Sequence, residues 1–200
     1  MTISRRPLLM ALGAAMLAGC GRADRTVPRF HGVDITGADY ARRLELPDAE
    51  GKSRSLADFK GKATLVFFGY VQCPDVCPTT LAELAEVKRS LGADGERVQG
   101  VFVTLDPERD TPEVLKTYVS AFHPSFVALR GTPEQTRAAA KEFKVFFAKV
   151  PGKTAGSYTL DHTAASFLFD PQGRVQSIAS HAGSASSTLR SSARAFGPLP

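Results

Sequence analysis

The segment that most constrains this chain is Thr64-Leu65-Val66-Phe67-Phe68-Gly69, where apolar residues follow one another without the polar alternation of a half-exposed strand. Such a run suits a central strand buried on both faces, which needs a layer of structure on each side. It passes directly into Tyr70-Val71-Gln72-Cys73-Pro74-Asp75-Val76-Cys77-Pro78. Proline is favoured at the first helical position. Leu81, Leu84, Val87, Lys88 and Leu91 then follow at helical spacing. A helix is therefore expected from Pro78, with the Lys88 stem at the edge of its apolar stripe.

The rest of the chain alternates in the same way. Short strands are expected around Val33–Ile35 and Tyr40–Leu46, a turn at Glu50-Gly51-Lys52 and a helical turn over Ser55–Phe59. Val98–Leu105 reads as a second apolar strand. Thr111-Pro112 opens a helix carrying Val114, Leu115, Tyr118, Val119 and Phe122, and Phe126–Leu129 is a third strand. Thr132-Pro133-Glu134-Gln135 has the spacing of a capping box and starts a helix to about Phe143. Lys144–Val150 is a strand candidate and Pro151–Gly156 a loop. Ala164–Phe169 and Val175–Ala179 form a hairpin across the Asp170-Pro171-Gln172-Gly173 turn, and residues 184–195 suggest a last helix. Strands alternating with helices, then a hairpin, define an α/β fold with a mixed central sheet and flanking helices.

The first twenty residues differ from the rest. Arg5 and Arg6 precede an apolar, alanine-rich stretch from Leu8 to Leu17 that is too short to span a bilayer. This reads as a signal peptide over residues 1–19. Leu17-Ala18-Gly19-Cys20 resembles the lipobox of bacterial lipoproteins, which makes Cys20 the expected lipidated first residue of the mature chain. Ser4-Arg5-Arg6-Pro7-Leu8-Leu9 also resembles the twin-arginine export motif, although paired arginines occur in ordinary signal peptides too. Residue 21 is Gly rather than the Asp of the usual inner-membrane retention signal. Polar residues 20–29 form a tether, and residues 30–200 form one domain. The expected location is outside the cytoplasm, lipid-anchored to a bacterial membrane and facing the periplasm or extracytoplasmic space. The net charge of +5 is spread without a polybasic stretch and tryptophan is absent, so nucleic acid is not an expected partner. No Walker A motif and no GxGxxG is present.

With Cys20 claimed by lipid, Cys73 and Cys77 are the remaining thiols. Their C-x-x-x-C spacing permits a disulfide and equally permits two thiolates on one metal ion. A position between a buried strand and a helix start favours a thiolate, because unpaired N–H groups there stabilise negative charge. A passive disulfide closing so small a ring would remove little chain entropy. Of 4 histidines, His31, His123 and His181 suit surface roles, whereas His162 follows Tyr158-Thr159-Leu160-Asp161 just before a strand. The residues alone leave His162 as a ligand, a base or a plain polar loop residue.

Phe67-Phe68-Gly69-Tyr70 with Cys73-Pro74-Asp75-Val76-Cys77-Pro78 resembles the signature of the Sco/SenC family, thioredoxin-like copper-binding proteins of cytochrome c oxidase assembly. The resemblance continues in Gly32-Val33-Asp34-Ile35-Thr36-Gly37, Asp58-Phe59-Lys60-Gly61-Lys62, Leu105-Asp106-Pro107, Arg109-Asp110-Thr111-Pro112 and Asp161-His162-Thr163, and ends in Phe167-Leu168-Phe169-Asp170-Pro171-Gln172-Gly173. It implies a thioredoxin-like fold, with copper bound by Cys73, Cys77 and His162. Asp161 matches a position associated with tuning the site, by orienting the His162 loop or accepting a hydrogen bond. Two thiolates and an imidazole suit copper(I), and the nitrogen donor matters more for copper(II). Zinc usually wants four ligands, and three are visible. The implied partners are a copper-accepting oxidase subunit, a copper donor and a thiol–disulfide reductant outside the cytoplasm.

The leading expectation is thus a copper chaperone or metallation factor for the oxidase's dinuclear copper site. The alternative is a thiol–disulfide reductase that keeps the target cysteines reduced, with Cys73 and Cys77 catalytic. Whether the chain is an enzyme stays open at this level. Peroxidase chemistry is a third class; Thr79 and Thr80 follow Cys77, but no arginine is plainly placed for it.

Overall fold

A computed structural model describes residues 32–179 together with Ser187 and Arg190. Its centre is strand β4 (Ala63–Gly69), buried at every position. In chain order it is preceded by β1 (Val33–Asp34), β2 (Glu45–Pro47), β3 (Ser53–Ser55) and a 3-10 turn at Leu56–Phe59. It is followed by α1 (Val76–Ser90), a 3-10 segment at Gly92–Arg97, β5 (Val98–Thr104), α2 (Pro112–Phe122), β6 (Val127–Leu129) and α3 (Pro133–Glu142). The remaining strands are β7 (Phe147–Pro151), β8 (Tyr158–His162), β9 (Ser166–Phe169) and β10 (Val175–Ala179).

Six strands pair in the order β1-β10-β9-β4-β5-β6. β4, β5 and β6 run parallel, while β9 is antiparallel to β4 and to β10. Because successive side chains of a strand alternate between faces, β4 feeds two cores. Phe67 lies against Phe102, which meets Tyr118 of α2 on one face. Phe68 packs against Phe143 and Phe167 on the other, just past the end of α3. This mixed sheet between helical layers is the expected α/β arrangement, and it is consistent with a thioredoxin-like fold. β2–β3 and β7–β8 form two separate ribbons.

Several local expectations shift. The helix begins at Val76, ahead of Pro78. Pro78 is the third helical residue, where the N–H has no intrahelical partner anyway, so proline is tolerated there. Tyr40–Leu46 is not a strand: Ala41 has a positive φ of 54°, and its N–H donates to the carbonyl of Glu142 at the end of α3. Only Glu45–Pro47 extends, pairing with β3. The capping box at Thr132 forms as expected. The helix expected over 184–195 lies largely outside the described residues, of which Ser187 and Arg190 are helical.

Lys88 is not at the edge of its stripe but 3% exposed. Its Nζ donates to the carbonyls of Gly95 and Val98, each at 2.7 Å, so it ties the 3-10 segment to the start of β5. Burial pulls its pKa down, and the two carbonyls are what the ammonium gains in place of water. Replacing Lys88 with Met keeps the stem but removes the donor that links the two carbonyls, leaving Gly95 only its bond from the Val98 N–H. Chemical denaturation should show a loss of about 1–3 kcal/mol; an unchanged midpoint would mean those carbonyls are not held by the ammonium.

A thiol, thiol and imidazole cluster at the end of β4

Because β4 and β5 are parallel, their C-terminal ends share one edge of the sheet, and the chain segments that leave them meet there. After Gly69 the chain turns, with the Cys73 N–H donating to the Tyr70 carbonyl, and enters α1. Cys73 is therefore in the turn and Cys77 in the first turn of the helix. Gly69 is required for this geometry. A Cβ at that position would stand 2.6 Å from the Cys77 Sγ and 2.9 Å from Phe102. The strand end thus has no side chain so that the sulfur can lie directly against its backbone.

The expectation that His162 lies in a loop is replaced by a strand. Tyr158–His162 pairs antiparallel with Phe147–Pro151, and Phe147 faces His162. The strand was not evident in the sequence because only Leu160 of its five residues is buried. His162 ends the ribbon with its ring beside Tyr70 and Phe67, at 5.9 and 6.5 Å between centroids and nearly perpendicular to each. Its Nδ1 lies 3.2 Å from the Thr163 carbonyl and its Nε2 lies 3.9 Å from the Cys77 Sγ. A carbonyl only accepts, so Nδ1 carries a hydrogen, and Nε2 is the ring nitrogen that faces the sulfurs. One ligand atom each from Cys73, Cys77 and His162 lies within 4.8 Å of the others.

The two thiols are unequal. Cys73 is 8% exposed and Cys77 fully buried. A hydrogen bond from the Cys77 thiol, with the N–H groups of Asp75 and Cys77 at the helix start, holds the Cys73 pKa down to about 5 against the opposing effect of burial. The same hydrogen bond, reinforced by burial, pushes Cys77 up. The pair is thus one thiolate resting on one thiol. The helix start serves this arrangement because Asp75, its N-cap residue, makes no side-chain capping bond and leaves those N–H groups to the sulfur.

A polar network borders the cluster. Asp110, buried after β5, accepts from Thr104 Oγ1 at 2.6 Å and from the Val71 N–H at 3.1 Å, fixing the start of the cysteine turn. Arg109 donates from Nη1 to Gln72 Oε1 and to the Tyr158 carbonyl, and from Nε to Asp106. Sequence reasoning assigned these residues no role. The available signal was their place: polar residues just after a buried strand parallel to the one that carries the cysteines. For a peroxidatic arrangement the parts are otherwise engaged, since the Thr80 hydroxyl donates to the Val76 carbonyl and Arg109 is bound as described.

Asp161 is exposed, on the strand position before His162. Alternation turns its side chain to the other face of the ribbon, and the ring is oriented by the hydrogen bond that its Nδ1 donates to the Thr163 carbonyl. His123 is held apart by Ser125. Cys20, His31 and His181 lie outside the described residues.

A mixed α/β sheet with a dithiol between central strand and helix, faced by the Nε2 of a histidine, defines a thioredoxin-like protein with a potential metal centre. The SCO1/SenC family profile matches residues 33–196, and the chain belongs to that family. The SCO2-like protein of Rickettsia felis is 40% identical over 139 residues, a stretch covering 69% of this chain and 66% of that protein, just short of two thirds of its length. Among solved structures, copper-bound ScoI of Bradyrhizobium japonicum is 40% identical with a TM-score of 0.67, covering 78% of this chain and 98% of that one. Apo Sco1 of Thermus thermophilus is 39% identical with a TM-score of 0.72, covering 87% and 99%.

The unequal thiols set a test. With the pair reduced, iodoacetamide should label Cys73 ahead of Cys77. Labelling of Cys73 should persist below neutrality and fall away only as pH drops through about 5, where its thiolate takes up a proton. An ordinary thiol would lose reactivity already below about 8.5. Peptide mapping after timed alkylation reads both; Cys77 reacting first would contradict the assignment.

Proposed function

We propose that this domain carries copper through Cys73, Cys77 and His162 and serves the assembly of the dinuclear copper site of cytochrome c oxidase. The observation that carries the reading is the convergence of two sulfurs and one imidazole nitrogen within 4.8 Å. Bonds from a first-row metal ion run about 2.3 Å to sulfur and about 2.0 Å to nitrogen, so small side-chain movements would bring all three donors onto one ion. Soft thiolates select copper(I), and the imidazole adds the donor that copper(II) needs. Copper-bound ScoI of B. japonicum, 40% identical, supports copper as the cargo. Family membership supports the oxidase as target and a partner that supplies competing thiolates to take the metal. The charge of Asp161 would act on the site from across the ribbon rather than by contact.

A second reading is favoured by the low pKa of Cys73. Its thiolate would attack a disulfide of the target, forming a mixed disulfide and releasing one target thiolate. Cys77, losing its proton, would then displace the second target thiolate and close a Cys73–Cys77 disulfide. Two electrons pass to the target, and an external dithiol must restore the pair. The two activities are compatible, because copper can enter the target only when its thiols are reduced.

Anaerobic titration of the purified chain against a competing chelator separates them. One copper(I) should bind, and replacing Cys73 or Cys77 with Ser should weaken it by at least about two orders of magnitude. His162→Ala should cost copper(I) little and copper(II) heavily, while His123→Ala should match the parent. Equal binding by all variants would remove the copper reading and leave the reductase.

We further infer that residues 1–19 are removed, that Cys20 carries lipid, and that residues 20–29 tether the domain, from residue 30 onward, to the extracytoplasmic face of a bacterial membrane. Among the described residues no helix is long and apolar enough to cross a membrane; the reading rests on Arg5, Arg6 and the Leu17-Ala18-Gly19-Cys20 run. Intact mass from the host membrane should show a chain starting at Cys20 with acyl mass, and Cys20→Ser should release the protein from the membrane fraction. A mature chain starting elsewhere without acyl mass would rule this out.

A further inference from the structure

We propose that Arg109 is a positioning residue that sets His162 in place against the two cysteines, an inference that rests on the copper reading above. The two halves of the cluster are carried by different sheets. Cys73 and Cys77 follow β4 of the six-stranded sheet, whereas His162 ends a ribbon that forms its own two-stranded sheet. The His162 end of β8 is tied by residues 163–165 to β9, which pairs with β4, but no strand pairing joins the Tyr158 end to the main sheet, so side chains must hold that end and with it the angle of the strand.

Arg109 reaches both halves from one nitrogen. Its Nη1 donates to Gln72 Oε1 at 2.8 Å, next to Cys73, and to the Tyr158 carbonyl at 2.9 Å, at the opposite end of β8 from His162. Its Nε binds Asp106, whose other carboxylate oxygen accepts from the Tyr158 hydroxyl at 2.9 Å. The guanidinium also lies over the Tyr158 ring at 3.6 Å and over Tyr70 at 5.9 Å, and Tyr70 meets the His162 ring edge-on. A displacement at Tyr158 is carried along a paired strand, so it arrives at His162 rather than dissipating in a loop.

The planar fork is needed for this. Arginine satisfies acceptors in three directions while stacking on an aromatic face, and a lysine ammonium on a flexible stem does not. Stability alone is a poor account of the residue, because Nη2 is buried without a hydrogen-bond partner among the described residues. A nearby link gives the contrast. Lys149 of β7 also pairs with Glu108 and places its Nζ 4.6 Å from the Tyr158 ring, but both side chains of the pair are about half exposed, and such pairs contribute little.

The test compares full-chain Arg109→Ala, Arg109→Lys, Tyr158→Phe and Lys149→Ala with the parent in two measurements. The first is amide hydrogen exchange of the metal-free protein. Both Arg109 variants should speed exchange in β8 by about tenfold or more while β5 stays protected. The second is metal affinity with the copper(II) electron paramagnetic resonance spectrum. Both Arg109 variants should lose about 10–100-fold in copper(II) affinity and the nitrogen hyperfine pattern, with copper(I) within about threefold. Combined with His162→Ala, Arg109→Ala should add no further copper(II) loss. Tyr158→Phe should move both readouts the same way by less, and it decides the matter if the Arg109 variants do not fold. Lys149→Ala, which removes only an exposed contact to the Tyr158 ring, should move both readouts less than Tyr158→Phe. Unchanged exchange in β8, or losses that add to those of His162→Ala, would overturn the proposal. If the parent bound no copper, the copper reading would fall, and the metal-free exchange would still decide whether Arg109 holds β8.

Discussion

The site depends on the burial of β4 on both faces. Because the strand is enclosed, its end is fixed, and Gly69 at that end presents bare backbone on which the Cys77 sulfur rests. A larger residue would force the sulfur, and with it the first turn of α1, away from the sheet. Packing in the core and placement of the thiol are therefore one constraint. The aromatic contacts of Phe67 extend it to the third member of the cluster, since the same ring that packs on Phe102 also borders His162.

Electrostatics then differentiate what packing has assembled. Cys77 is sealed in and keeps its proton, whereas Cys73 lies at the uncapped helix start and loses it. A buried thiolate without partners would be costly, but here it accepts from a thiol and two backbone N–H groups. The site thus holds one negative charge before any metal arrives. Adding a singly charged soft cation and releasing the Cys77 proton would leave the net charge of the whole site, cation included, unchanged, which limits the electrostatic cost of loading in a low-dielectric pocket.

Much of this was legible in the sequence. The uninterrupted run of residues 64–69 gave the central strand, and Thr132 with Gln135 gave the start of α3, because burial and capping leave local signatures. The Cys73–Cys77 spacing and its place before a helix gave the dithiol. His162 was separable from the other histidines only through family resemblance. Its strand has one buried residue, and its partner β7 lies across a loop with no standard two-residue turn, so periodicity was silent. Lys88 was misplaced because a charged residue on an apolar stripe reads as an edge position, and the carbonyls that hold it belong to a segment further along the chain. The role of Gly69 was invisible for the same reason: the sulfur it accommodates is brought there by tertiary structure.

The division of the cluster between two supports bears on how a carrier works. The sulfurs are held by strand and helix within the main core, while the imidazole comes from a ribbon that pairs with no strand of the main sheet and joins it through residues 163–165. His162 is half-buried where both cysteines are buried, so its displacement exposes less of the core. Copper(I) tolerates coordination by two thiolates, so Cys73 and Cys77 could hold it with the imidazole displaced, leaving a side open to a partner's thiolate, whereas copper(II) would lose a donor it needs. On the proposed reading, the ligand held by the weaker support is the one whose removal opens the path for transfer, and the strength of that support sets how readily the path opens.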